Sequence, residues 1–177
     1  MKALIFDTET TGLLSSHLMP HERQPEVIEY SGMLTDLDTG EILEDYTTLV
    51  NPQKPISQEI AAITGLTQAQ LNQAPRFSAV ADTISAQLEK APIVIAHNAS
   101  FDREMLDLEY ERLNRKLSWP FTLCTVEQTI YLVGRRLNLT DLHVLLFNEP
   151  FKDAHRAGVD VMALVKCCIE LHRRNVI

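Results

Sequence analysis

Apolar residues recur along the chain with two different periods, and the points where the period changes divide it into elements. Ala3 to Phe6 is a short apolar run ending at Asp7, which predicts a buried strand with a functional edge. Gly12 breaks that pattern, and the polar stretch from Ser15 to Pro25, with two prolines and two histidines, predicts a loop. Val27 to Leu37 and Ile42 to Val50 predict two strands joined as a hairpin around Asp38-Thr39-Gly40, whose residues tolerate the backbone angles of a tight turn. Asn51-Pro52 ends that run. Ser57 opens a short helical stretch through Ile60 and Ile63 that Gly65 stops, and Phe77, Val80, Ile84 and Leu88 fall at helical spacing.

In the second half, Ile93 to Ala96 is β-branched, flanked by turn residues, and predicts a central strand. Asn98 is placed to cap a helix running to about Arg115, with Phe101, Met105 and Leu108 on one stripe. Phe121 to Cys124 predicts a fifth strand, followed by helices over Val126 to Arg136, Leu139 to Leu146, and Arg156 to Leu171. Three strands first and alternating strands and helices later imply one α/β domain over residues 1–177, with a mixed five-stranded sheet flanked by helices.

Composition narrows the function classes. The chain is 45% hydrophobic and 23% charged, ordinary for a globular protein and without low-complexity segments. No run approaches the roughly 20 apolar residues that span a bilayer, and the start MKALIFDTETTG turns polar too early for a signal peptide, so no membrane association and a cytoplasmic location are expected. Cys124, Cys167 and Cys168 form no C-x-x-C pair, which favours core or surface thiols over a metal site. A net charge of −8 disfavours a broad basic face for nucleic acid but leaves room for an enzyme that grips a few nucleotides through cations.

Asp7 and Glu9 sit two apart at a strand end and face the same side, because side chains in a strand alternate. Alone, such a pair is better explained by ordinary strand-end decoration. Asp102 falls in the first turn of a helix, where the dipole favours an ionised carboxylate; capping or solvation is the alternative. His155 and Asp160, five positions apart, would point about 140° away from each other on one continuous helix. They can approach one centre only if His155 stands in the loop or frayed turn before the helix. Four converging carboxylates repel by roughly 4 kcal/mol per charged pair at 4 Å and an effective dielectric of 20, so such a cluster needs protons or cations. Oxygen ligands in that number select hard ions such as Mg²⁺ or Mn²⁺.

The segments FDTETTG, HNASFDREML and HRAGVD resemble, in their usual order, the three motifs of the histidine-containing DEDD exonuclease superfamily, the DnaQ-like branch. LVNPQKPI and AITGLT are similar to the proofreading epsilon-subunit type of bacterial DNA polymerase III within that branch. The resemblance covers nearly the whole chain and implies a ribonuclease H-like fold. It further implies a 3′–5′ exonuclease acting on the 3′ end of single-stranded nucleic acid, DNA first and RNA as the rival, with two divalent cations and a replication or repair partner. By motif position it implies that Asp7 serves both ions, Glu9 and Asp160 the first, Asp102 the second, and that His155 is the general base. Thr10, Leu13, Ile63, His97, Asn98 and Phe101 are the implied contacts to the terminal nucleotide. Core packing competes for Leu13, Ile63 and Phe101, and helix capping for Asn98. Arg103, Arg112, Arg115, Lys116, Arg135 and Arg136 are candidates to approach the phosphate backbone, against the alternative of a solvated helix face. The tail after Leu171 is shorter than the polymerase-binding extension of the epsilon type. A partner-docking module without turnover is the competing class. An aspartyl-phosphate phosphatase is disfavoured because Glu9 stands where that chemistry uses a second aspartate.

Overall fold

The computed structural model describes residues 1–16, 19–152 and 154–177. Strand β1 (Lys2–Thr10) lies in the middle of a five-stranded sheet of order β3-β2-β1-β4-β5. On one side it pairs antiparallel with β2 (Val27–Asp36), which pairs antiparallel with β3 (Glu41–Leu49). On the other side it pairs parallel with β4 (Ile93–Ala96), and β4 parallel with β5 (Phe121–Cys124). The mixed sheet is therefore the one expected. Leu37 belongs to the hairpin turn, which Gly40 closes at φ 76° by donating its N–H to the carbonyl of Asp36. Of the polar loop from Ser15 to Pro25, positions 17 and 18 lie outside the described residues; His21–Arg23 form a single 3-10 turn.

Alternation along β1 sends its apolar side chains to two cores. Leu4 and Phe6 pack against helices α3 (Phe77–Lys90) and α4 (Ala99–Arg112), while Ala3 and Ile5 pack against α7 (Ala157–Arg173). Two helices thus cover one face of the sheet and α7 the other. A third apolar cluster docks α6 (Leu139–Phe147) on α7 through Leu142, Leu146, Cys167 and Leu171. The adjacent cysteines divide between cores, with Cys167 against α6 and Cys168 against the sheet, and both are buried free thiols. Among the described residues no helix is long and apolar enough to cross a membrane.

Some boundaries differ from those predicted. Between α1 (Gln58–Thr64) and α3 the chain forms a further helix, α2 (Gln68–Gln73). It carries a capping box in which Thr67 and Gln70 satisfy each other's backbone donors. Helix α4 stops at Arg112 rather than Arg115, and its buried stripe runs through Asp102, Met105, Leu106, Glu109 and Tyr110, leaving Leu108 half-buried. Helix α5 (Thr125–Val133) ends three residues earlier than expected because Gly134 takes the left-handed conformation. Asn98 does not cap α4 with its side chain. Its backbone is itself left-handed at φ 72°, a region asparagine tolerates, and its amide oxygen accepts from Arg136.

Candidate active site

The carboxyl ends of β1 and β4, the start of α4 and the start of α7 enclose a cavity of about 380 Å³ lined by Asp7, Glu9, Asp102, His155 and Asp160 together with His97 and Phe101. Asp7 and Glu9 share the α7 face of the sheet with Ala3 and Ile5, as strand alternation requires. There they meet Asp160, and one oxygen from each of the three lies within 4.8 Å of the others. At that separation each ionised pair repels by about 3.5 kcal/mol at an effective dielectric of 20. Asp102 arrives from the opposite face, carried by α4 over the end of β1. Its Oδ1 accepts both the backbone N–H of Thr8, at 3.0 Å, and the Thr8 hydroxyl, at 2.8 Å. The four acids therefore line one cavity but do not form one tight knot: three cluster, and the fourth is held separately by the residue between Asp7 and Glu9.

Electrostatics follow from this geometry. Burial, and then the negative charges of Asp102, Glu9 and Asp160, push the Asp7 carboxyl well above its usual range. Burial followed by Asp160 and Glu29 raises Glu9 to about 7. Burial raises Asp102 to about 7 against the opposing pull of the two Thr8 hydrogen bonds. Burial also raises Asp160, opposed by backbone donors from His155 and Arg156. A set of carboxyls forced towards protonation, all oxygen donors, fits one or more hard divalent cations.

The turn before α7 explains how residues five apart reach one centre. His155 lies ahead of the helix in the left-handed region at φ 70°, and is exposed. Asp160, one turn into α7, reaches back: its Oδ2 accepts the N–H groups of His155 at 2.8 Å and Arg156 at 3.0 Å. This occupies donors that a helix start otherwise leaves unpaired. Glu29, 2% exposed on β2 and directly across the ladder from Glu9, accepts the next N–H, that of Ala157 at 3.0 Å. It also takes Nε and Nη2 of Arg156, at 3.1 and 2.9 Å.

His97 occupies the other wall. Its Nε2 lies 3.1 Å from the carbonyl of Leu137 and its Nδ1 2.9 Å from the hydroxyl of Thr125. A carbonyl can only accept, so Nε2 carries the proton and Nδ1 accepts from Thr125. Burial lowers this imidazole to about 4. His97 thus ties β4 to α5 and to the linker ahead of α6 with both nitrogens engaged.

The remaining expected contacts sort clearly. Phe101 lines the cavity and packs against the core edge. Leu13 and Ile63 are 84% and 45% exposed, so neither is a core residue. Thr10 is buried, gives its hydroxyl to the carbonyl of Gly12, and does not line the cavity; nor does Asn98. Of the candidate cations, Arg112 is turned inward to the carbonyls of His21, Gln24 and Pro25, Arg115 pairs with Asp82, Arg135 with Asp141, and Arg103 lies over Trp119. Arg136, bonded to Asn98, stays beside the His97 wall. Thr8, Glu29 and Arg156 carry structural roles at the site that the sequence reading passed over. The threonine between two acids and the arginine after His155 were visible, but nothing in the spacing linked either to its partner.

Residues 4–168 match the sequence model of the RNase_T exonuclease family. The PolC-type DNA polymerase III of Oceanobacillus iheyensis is 26% identical over 180 residues, a match covering 97% of this chain and 12% of that protein. The PolC-type polymerase of Bacillus subtilis is 34% identical over 112 residues, covering 62% of this chain and 7% of that protein. The chain therefore spans a small part of the length of these relatives. Among solved structures, the nuclease domain of 3′hExo, a DEDDh family member bound to rAMP, superposes with a TM-score of 0.78 at 17% identity over 98% of this chain and 92% of that one. Exonuclease X in complex with 5′ overhanging duplex DNA superposes with a TM-score of 0.70 at 24% identity over 98% and 93%. At these identities the two structures speak for the fold, which is ribonuclease H-like.

Proposed function

Because this chain belongs to the RNase_T exonuclease family, in the DnaQ-like DEDD branch, we propose that it is a metal-dependent 3′–5′ exonuclease that hydrolyses the terminal phosphodiester of single-stranded DNA. The observation that carries the reading is the meeting of Asp7, Glu9 and Asp160 within 4.8 Å beside Asp102 and His155 in one open cavity. Asp7 belongs to the three-acid cluster and also feels the charge of Asp102, so it would help to hold both cations, with Glu9 and Asp160 holding one and Asp102 the other. Two divalent cations, when bound, relieve the repulsion among these carboxylates and supply positive charge for the phosphate and its attacking and leaving oxygens.

The protein's own groups do the rest. Thr8 fixes one oxygen of Asp102 and leaves the other to face the cavity. The His155 imidazole, exposed at the cavity edge, accepts the proton of the attacking water as general base. Attack at phosphorus breaks its bond to the 3′ oxygen of the preceding nucleotide and releases a nucleoside 5′-monophosphate. Leu13 and Ile63, exposed apolar side chains, are suited to contact the terminal bases, with Phe101 on the cavity wall. The polymerase relatives favour DNA and a replication or repair context.

Matched DNA and RNA oligonucleotides labelled at either end, incubated with Mg²⁺ or Mn²⁺, test this. Release of labelled mononucleotide from 3′-labelled DNA, with progressive shortening of 5′-labelled DNA, is expected. Faster degradation of RNA would replace the substrate while keeping the chemistry, and shortening from the 5′ end would overturn the polarity.

A further inference from the structure

The proposed mechanism depends on His155, yet among the described residues no hydrogen bond reaches its ring. The hydrogen bonds that hold it are made by its backbone, and the backbone of residues 155–157 is held by two carboxylates. Asp160 takes the N–H groups of His155 and Arg156; Glu29 takes that of Ala157 and, through two parallel bonds, the Arg156 guanidinium. We infer that the Glu29–Arg156 pair is a positioning device that locks the left-handed turn before α7 and thereby aims the His155 imidazole at the carboxylate face.

Three observations carry this. Glu29 is 2% exposed, so both its oxygens are committed and its charge is matched by a single fork rather than by solvent. A guanidinium held through Nε and Nη2 is fixed in orientation as well as distance, which an ammonium cannot reproduce. Glu29 sits on β2 opposite Glu9 in the antiparallel register. The pair therefore references the His155 turn to the same strand ladder that places Glu9, and not merely to its own helix. Glu29 is buried while the Arg156 side chain is 42% exposed, so removing the arginine leaves the buried carboxylate uncompensated and should loosen this turn first. The inference rests on the exonuclease reading for its kinetic consequence, but the structural lock is measurable without it.

The test is a double-mutant cycle in the full chain with Mn²⁺ saturating, comparing Arg156→Ala, Arg156→Lys and Glu29→Gln in the His155 and His155→Ala backgrounds. Outer partners that orient a functional group typically contribute about 10–100-fold, so Arg156→Ala and Glu29→Gln should lower kcat by at least about tenfold with KM nearly unchanged. Arg156→Lys should recover only part of this. In the His155→Ala background the same changes should add less than about twofold, because the group they position is gone. Equal losses in both backgrounds, or unchanged kcat in a folded variant, would overturn the inference. Amide hydrogen exchange supplies the second readout. The N–H groups of residues 155–157 should exchange at least about tenfold faster in Arg156→Ala, with the interior of α7 around Leu164 unchanged, and equal protection would count against the lock. Absence of any cleavage by the wild-type protein would sink the exonuclease reading alone, since the exchange result still decides whether the pair holds the turn.

Discussion

Two histidines face the same cavity from opposite walls, and their surroundings could hardly differ more. His97 is half-buried with both ring nitrogens bonded and its basicity depressed to about 4. His155 is exposed on a backbone turn held by carboxylates, and among the described residues no hydrogen bond reaches its ring. One imidazole holds structure, and in the proposed reaction the other takes the proton. The contrast shows that lining a cavity does not make a residue reactive; what matters is which of its atoms still lack a partner.

The sharpest way to break the comparison is to remove each ring in turn. His155→Ala should lower kcat by about 10²–10⁴-fold with little change in fold, as loss of a general base does, whereas His97→Gln should cost no more than a few-fold in kcat. Single-turnover cleavage of a labelled oligonucleotide reads both, and equal losses would erase the distinction. Next in size is Thr8→Val, which removes the hydroxyl that orients Asp102 while keeping the backbone bond. A roughly tenfold rise in the Mn²⁺ concentration for half-maximal activity is expected, and an unchanged value would mean that the backbone N–H alone suffices.

Stability against pH separates the carboxylate side from the His97 side. In the cation-free protein Glu9 and Asp102 titrate near 7, above ordinary carboxylates, so the folded state binds protons that the unfolded chain does not. That contribution is complete below about pH 4 and is lost as pH rises through about 7. His97 has the opposite sign: its folded value of about 4 lies below the ordinary imidazole value, so its contribution is present above about pH 6.5 and is lost as pH falls through 4. Thermal melting without cations should therefore show a decline between about pH 4 and 7 that Mn²⁺ reverses, each kcal/mol moving Tm by roughly 2–4 °C. A melting temperature that rises steadily to pH 8 in chelator would contradict the raised carboxyls. The smallest effect is expected at Arg136, where replacement by Ala removes an exposed contact with Asn98 and should change stability by no more than about 1 kcal/mol in chemical denaturation.

Much of this architecture is written in periodicity. The five strands and the buried run of β1 follow from apolar alternation and β-branched content, and the site acids lie at strand and helix ends where those patterns stop. Helix α2 escaped because only Leu71 of its six residues is buried, leaving no stripe to detect; the Thr67 to Gln70 spacing of its capping box was the available signal. The ends of α4 and α5 were overrun because Arg112 to Arg115 and Gly134 to Arg136 are polar enough to extend a helix on paper, while the backbone turns left-handed at Asn114 and Gly134. At the site, strand alternation correctly puts Asp7 and Glu9 on one side. Alternation cannot show that Asp102 approaches from the other side, because that depends on how α4 crosses the strand end. Nor could the sequence pair Glu29 with Arg156, since a contact between β2 and the start of α7 exists only after the sheet and last helix have packed.

That last helix has a temporal meaning as well. Ribosomes deliver β1 and α4 before α7, so a growing polypeptide displays Asp7, Glu9 and Asp102 before it possesses His155 or Asp160. The proposed site would then be completed in one step, when α7 and the turn carrying His155 dock against the sheet.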